Sequence, residues 1–179
     1  RPLIPYHDDP DRIWYAGGKF VRWAGILNTH EAFGRSVSTI GSQPFPTDYA
    51  PTCCLMVDRR VFETIGLMDE QYFVYWDDTD FCWRMRQAGL GILVDPGLVM
   101  LHKVSRSTGG ALSPFTIRYT QRNQMLFVRK HFAAPWLGYT VAAVFARAAL
   151  GLVQRRRTWT QTRLRFAALA EGLRMPVGS

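Results

Sequence analysis

Three carboxylates stand within four residues at Asp77-Asp78-Thr79-Asp80, directly after the aromatic residues Tyr72, Phe73, Tyr75 and Trp76. Charges so close repel one another unless a cation or a reacting proton needs them. One reading is a solvated acidic cap, stabilised by the dipole at a helix start. The other is a general base working on a hydroxyl, with the aromatic wall shielding it from water. Composition alone leaves the two level. His102 follows the apolar run Val99-Met100-Leu101 and precedes Lys103 and the loop Ser105-Arg106-Ser107-Thr108-Gly109-Gly110. A lone histidine is more often structural, but this one closes a strand, and α/β folds assemble sites at that edge of the sheet. Neutral imidazole with carboxylate suits a divalent cation, and the loop offers donors to phosphate. Arg118, Tyr119, Arg122 and Asn123 recur at helical spacing. They read either as a solvated basic face or as a clamp on a diphosphate, whose oxygens match paired guanidinium forks.

The elements that must position these residues alternate. Residues 1–50 read as irregular, punctuated by Pro2, Pro5, Pro10, Pro44 and Pro46, with a short strand at Ile13-Trp14-Tyr15-Ala16 running into Gly17-Gly18. Residues 52–57 (TCCLMV) form an apolar run suited to a buried strand. Asp58 then caps a helix over 59–65 that Gly66 closes, with Val61, Phe62 and Ile65 on one face. A second helix runs from Asp77 to Ala88 and stops at Gly89. Its apolar stripe is Phe81, Cys82, Met85 and Ala88, and Arg84, Arg86 and Gln87 point away. Two short strands, 90–94 and 98–101, are split by Asp95-Pro96-Gly97. Ser113-Pro114 opens a helix to about His131, residues 136–153 are apolar apart from Arg147, and 158–174 is a basic amphipathic helix. Strands alternating with helices indicate an α/β layer fold.

The charge is lopsided. Of the net +8 over 179 residues, residues 1–116 carry −2 and residues 117–179 carry +10, with Glu171 the single acid in the second part. Such a tail meets phosphate, on a nucleic acid, an anionic membrane or a phosphorylated ligand. A hydrophobic share of 47% excludes a disordered chain, and three cysteines (Cys53, Cys54, Cys82) are too few for a disulfide framework or a four-cysteine zinc site.

Taken in order, the segments 54–73 (CLMVDRRVFETIGLMDEQYF) and 75–89 (YWDDTDFCWRMRQAG) resemble family 2 glycosyltransferases of the rhamnosyltransferase type. Leu101-His102-Lys103 with its Ser/Gly loop, and Tyr119-x-x-Arg122-Asn123 through Arg129-Lys130-His131, continue the likeness, which covers roughly residues 13–132. The resemblance implies the C-terminal, acceptor-side half of a GT-A fold over 1–132. It also implies a nucleotide-diphospho-sugar donor, a glycan or polyprenyl-linked acceptor and a divalent metal, Mg or Mn. Asp78 would be the base of an inverting displacement, and Asp77, standing for the usual Glu, would lie against the acceptor. Asp80 would fix the helix and loop, and His102 would be a metal ligand. Trp76, Lys103, Ser105, Arg118, Tyr119, Arg122 and Asn123 would contact substrate. Two departures stand out. The only acidic Asp-x-Asp before Asp77 is Asp9-Pro10-Asp11, with no strand before it, so the chain reads as part of a larger enzyme and inactive alone. Cys53 also occupies a position where the family commonly has glycine.

Residues 133–179 read as a helical, membrane-associated extension. A mid-bilayer arginine costs roughly 2.5–3.5 kcal/mol. A helix lying in the interface, with Arg147 snorkelling and Arg155-Arg156-Arg157 on anionic headgroups, therefore fits better than a spanning one. A helix packed on the catalytic domain is the competing reading. The expected location is cytoplasmic, peripheral on the inner face of the membrane. A nucleic-acid-binding module is disfavoured because the apolar run makes a poor groove reader, and a two-metal phosphohydrolase because too few ligands are visible.

Overall fold

The computed structural model describes residues 1–22, 27–103 and 109–177. The architecture is mixed α/β and groups into two compact units. The first is Arg1–Phe20, Asn28–Phe73 and Asp77–Val104; the second is Val21–Leu27, Val74–Trp76 and Ser105–Ser179. The helix that begins at Ser113-Pro114 thus sorts with the tail helices, whereas the resemblance groups it with residues 1–132.

Among the described residues of the opening, expected to be irregular, stand five short strands: β1 (Pro2–Pro5), β2 (Ile13–Tyr15), β3 (Gly18–Val21), β4 (Leu27–His30) and β5 (Phe45–Thr47). The prolines hide them. Pro2 and Pro5 sit at the two ends of β1, and Pro46 lies in β5, an edge strand where a missing N–H is tolerated. Residues 90–101 form one strand rather than two, β6 (Ile92–Val99), and the sheet order is β2-β1-β6-β5. β1 runs parallel to β6, antiparallel to β2. The pairing steps from Pro2↔Asp95 to Leu3↔Val99, so Pro96-Gly97-Leu98 bulges instead of breaking the strand. β3 and β4 make a separate two-stranded ladder. The strand expected over 52–57 is absent; Thr52–Cys54 is a 3₁₀ turn and the following residues are extended without a partner strand.

Helix α1 (Arg59–Ile65) is capped by the Asp58 carboxylate on the Arg60 amide, and Gly66 terminates it. Helix α2 (Asp77–Gln87) buries Phe81, Cys82, Trp83 and Met85. With Ile4, Tyr15, Tyr49, Ala50, Val61, Ile92 and Val94, three of these, Phe81, Cys82 and Met85, form the core of the unit. Arg84, expected to point outward, turns back instead: it donates to Asp80 Oδ2 at 2.8 Å, to the Leu67 carbonyl at 2.9 Å and to the Ile65 carbonyl. The three cysteines are free thiols.

The second unit is helical: α3 (Pro114–His131), α4 (Ala134–Val153) and α5 (Trp159–Arg174). Ser113 accepts from the Thr116 amide to cap α3, and Thr158 with Gln161 forms a reciprocal capping box on α5. α3 and α5 pack most closely, and Gly172 is the reason they can. A Cβ there would stand 2.2 Å from the Arg122 carbonyl oxygen and 2.9 Å from Met125 Cβ. α4 packs on both helices through Thr140, Val144, Ala148 and Gly151.

Candidate active site

Asp78 occupies the first turn of α2, half-buried in densely packed protein. Its Oδ2 accepts from the Tyr49 hydroxyl at 2.8 Å. Its Oδ1 accepts from the Thr79 amide at 2.7 Å and the Thr79 hydroxyl at 3.1 Å. Burial first, and then the neighbouring Asp77 carboxylate, push its pKa up to about 6; the Tyr49 and Thr79 hydrogen bonds pull against that rise. The group is therefore mostly ionised at neutral pH yet basic enough to take a proton. Asp77 is half-buried and is also raised by burial, with backbone amides at the helix start opposing. Asp80 is different in kind. It is fully buried, bonded to Arg84 and to the Tyr72 hydroxyl at 3.2 Å, and it ties α2 to the segment 65–72.

Three residues before α2 have left-handed backbone conformations without being glycine: Phe73 (φ 61°), Tyr75 (φ 60°) and Trp76 (φ 68°). Each costs about 1 kcal/mol or more, so surrounding contacts must hold them. Buried Asn123 does so for part of the stretch, donating from Nδ2 to the carbonyls of Val74 at 2.7 Å and Tyr75 at 2.8 Å. Trp76, expected against substrate, is instead buried beside Phe127 at 5.3 Å between ring centroids, so its ring is packing.

The basic residues of α3 are also engaged. Arg118 forks onto Glu171 of α5 at 2.9 and 3.0 Å. Arg122 is largely buried, donates to Asn123 Oδ1 at 2.7 Å and lies 3.9 Å from Glu171; Tyr119 lies beneath both guanidinium groups. The tail's single acid thus sits between the arginines expected to clamp phosphate.

His102 belongs to the same unit as Asp78 but not to its immediate surroundings. Its ring rests on Trp14 at 4.4 Å, Trp14 on His30 at 4.9 Å, and His30 on Tyr49 at 5.9 Å, before Tyr49 reaches Asp78. A row of rings joins the two groups where a shared cation was expected. Burial lowers the pKa of both histidines, so each is neutral at pH 7, and His30 Nδ1 donates to the Trp14 carbonyl at 2.9 Å. Among the described residues no three His, Cys, Asp or Glu side chains lie close enough to share a metal ion. One imidazole against an indole does not fit a resident divalent metal. Lys103 is exposed, and Ser105 lies outside the described residues.

Sequence reasoning missed Tyr49, Thr79, Asn28 and Glu171. Tyr49 lies 29 residues before Asp78 and Glu171 lies 53 after Arg118, and no spacing pattern links either pair.

No family model matches the chain. It is similar to curated glycosyltransferases. The dTDP-rhamnosyl transferase RfbF of Shigella flexneri is 30% identical over 100 residues, which is 52% of this chain and 34% of that protein. The low-salt glycan biosynthesis hexosyltransferase Agl10 of Haloferax volcanii is 38% identical over 47 residues, 26% of this chain and 15% of its own length. The N-acetylglucosaminyl-diphospho-decaprenol L-rhamnosyltransferase of Mycobacterium tuberculosis is 36% identical over 64 residues, 36% of this chain and 21% of that enzyme. The likeness is to rhamnosyl- and hexosyltransferases, and the matched part spans at most about a third of these relatives.

Proposed function

We propose that the chain is the acceptor-side part of a GT-A-type glycosyltransferase. It moves a sugar, rhamnose being the leading candidate, from a nucleotide-diphospho-sugar to a hydroxyl of a lipid-linked or cell-envelope glycan. The observation that carries the reading is Asp78, a half-buried, densely packed carboxylate raised to about 6. It takes the acceptor's hydroxyl proton, the freed oxygen attacks the anomeric carbon, and the bond from that carbon to the diphosphate breaks. The nucleoside diphosphate leaves with the electron pair, and attack from the opposite face inverts the anomeric centre. Asp77 lies against the acceptor. Lys103 and Ser105 donate to phosphate, while Arg118 and Arg122 reach a phosphate only after exchanging Glu171 for it. Mg or Mn enters no step here, because among the described residues no three His, Cys, Asp or Glu side chains come together to hold it.

The name of the mycobacterial relative, an N-acetylglucosaminyl-diphospho-decaprenol rhamnosyltransferase, supports a polyprenyl-linked acceptor and with it a place on the inner face of the cell membrane. α4 supports it too. It is long and apolar enough by length and composition to cross a bilayer, with mean hydropathy 1.5. Its outward stripe of Tyr139, Ala142, Phe145, Ala146, Leu150 and Val153 carries no charge, and Arg155 and Arg156 follow it, exposed. A helix lying in an anionic interface uses both features. A nucleic-acid partner has no comparable support.

The pH dependence of kcat/KM in the complete enzyme tests the base. A carboxylate that must be ionised gives a profile that falls roughly tenfold per unit on the acid side, here with its midpoint near pH 6. A profile flat down to about pH 4.5, the ordinary carboxylate range, would remove Asp78 from the role.

A further inference from the structure

We infer that Tyr49, Thr79 and Asn28 form a positioning relay that aims Asp78 and leaves its Oδ2 as the oxygen that receives the acceptor's proton. Only the consequence for turnover rests on the reading of Asp78 as the base; the contacts stand without it.

The direction of each hydrogen bond follows from chemistry. Burial holds the ionisation of the Tyr49 phenol well above its ordinary value, so at neutral pH it keeps its proton and donates to Asp78 Oδ2. Tyr49 is itself locked. The Tyr15 hydroxyl donates to its carbonyl at 2.6 Å, and Phe20 and His30 pack on its ring. Gly18 has no Cβ because one would stand 2.8 Å from Tyr49 Cδ1. On the other side, Thr79 has one hydroxyl proton. It spends that proton on Asp78 Oδ1 and accepts from Asn28 Nδ2 at 2.7 Å. The relay therefore runs Asn28 to Thr79 to Asp78 from one side and Tyr49 to Asp78 from the other.

An ionised carboxylate has about four acceptor positions. The Thr79 amide and hydroxyl take both on Oδ1, and Tyr49 takes one on Oδ2. The position left over is on Oδ2, so the arriving hydroxyl is directed there. The remaining titratable groups around the carboxylate do not supply this help. Asp77 repels it, while Tyr15 and Cys82, the latter pushed up to about 12, are neutral at working pH. All three donor bonds favour the charged form, and losing one raises the pKa.

The test follows the Asp78 carboxyl by ¹³C NMR titration of the aspartate-labelled chain, with the resonance assigned by its loss in Asp78→Asn. Tyr49→Phe is expected to raise the midpoint by about one pH unit, the worth of one charge-assisted hydrogen bond. Thr79→Val raises it as well, Thr79→Ser, which keeps the hydroxyl, leaves it in place, and Asn28→Ala raises it less. The threonine pair decides the matter if Tyr49→Phe fails to fold, and Asn28→Ala decides it if both core variants fail. Midpoints unchanged from wild type in the folded variants overturn the relay. If the midpoints move but the acid limb of the complete enzyme's kcat/KM profile does not follow them, the relay stands and the assignment of Asp78 as base is what fails.

Discussion

At the scale of single residues, Asp78 and Asp80 show how two carboxylates two positions apart acquire opposite duties. Asp80 is saturated by Arg84 and Tyr72 and has no exposed surface. Removing one partner of a buried pair leaves the other charge uncompensated, so Asp80→Ala should cost about 3–5 kcal/mol in urea unfolding. Asp78 runs the other way. Its folded pKa of about 6 lies above the ordinary aspartate value of 3.8. Ionising it therefore costs folding free energy; the cost is absent below the unfolded value and complete above the folded one. Asp78→Asn removes that cost, and the Tyr49 hydroxyl can turn to accept from the new amide. The variant should melt higher than wild type at about pH 8, with the gain fading toward about pH 4, in calorimetric scans. The acid triplet was legible in the sequence because like charges packed into one helical turn are conspicuous. Tyr49 was not, because its hydroxyl reaches Asp78 only after a proline-punctuated segment folds into β-strands.

At the scale of elements, the helices announced themselves and the strands did not. Asp58, Gly66, Ser113-Pro114 and Thr158 are local signals whose effect is confined to one turn, and α1, α3 and α5 begin or end where these residues stand. The strands of the first unit are three to eight residues long and several carry proline, so their existence depends on partners distant in the chain. The 52–57 segment makes the converse point: an apolar run remained without a ladder because no strand pairs with it. Arg84 departs from the outward position its spacing predicts for a related reason. Helical periodicity turned it outward, but the carbonyls of Ile65 and Leu67 drew it back. Close packing of α3 on α5 leads to a prediction at this scale. Gly172→Ala places a methyl against the Arg122 backbone, which has no rotamer with which to yield. It should lower stability by about 1–3 kcal/mol or more in thermal unfolding, and it should loosen the Arg118–Glu171 pair.

At the scale of the whole molecule, the charge asymmetry and the apolar stripe of α4 lie in the same segment of chain. Leu150 is 54% and Val153 80% exposed, so their substitution leaves the packed face of α4 untouched. Burial in lipid is worth roughly 1.5–3 kcal/mol for such a side chain. Leu150→Glu and Val153→Glu should therefore each weaken binding to anionic vesicles about tenfold or more in co-sedimentation. Raising salt should weaken it further through Arg155 and Arg156, and vesicles of neutral lipid should bind less. Binding that ignores both charge and these two substitutions would leave the stripe without this role. The proposed transfer depends on one proton acceptor, Asp78. Its most direct test is sugar transfer by the complete enzyme carrying Asp78→Asn, with donor binding and thermal unfolding followed in the same preparation. A fall of about 10²–10⁴-fold in turnover, with donor binding retained and the fold intact, is the predicted result; turnover at the wild-type rate would contradict it.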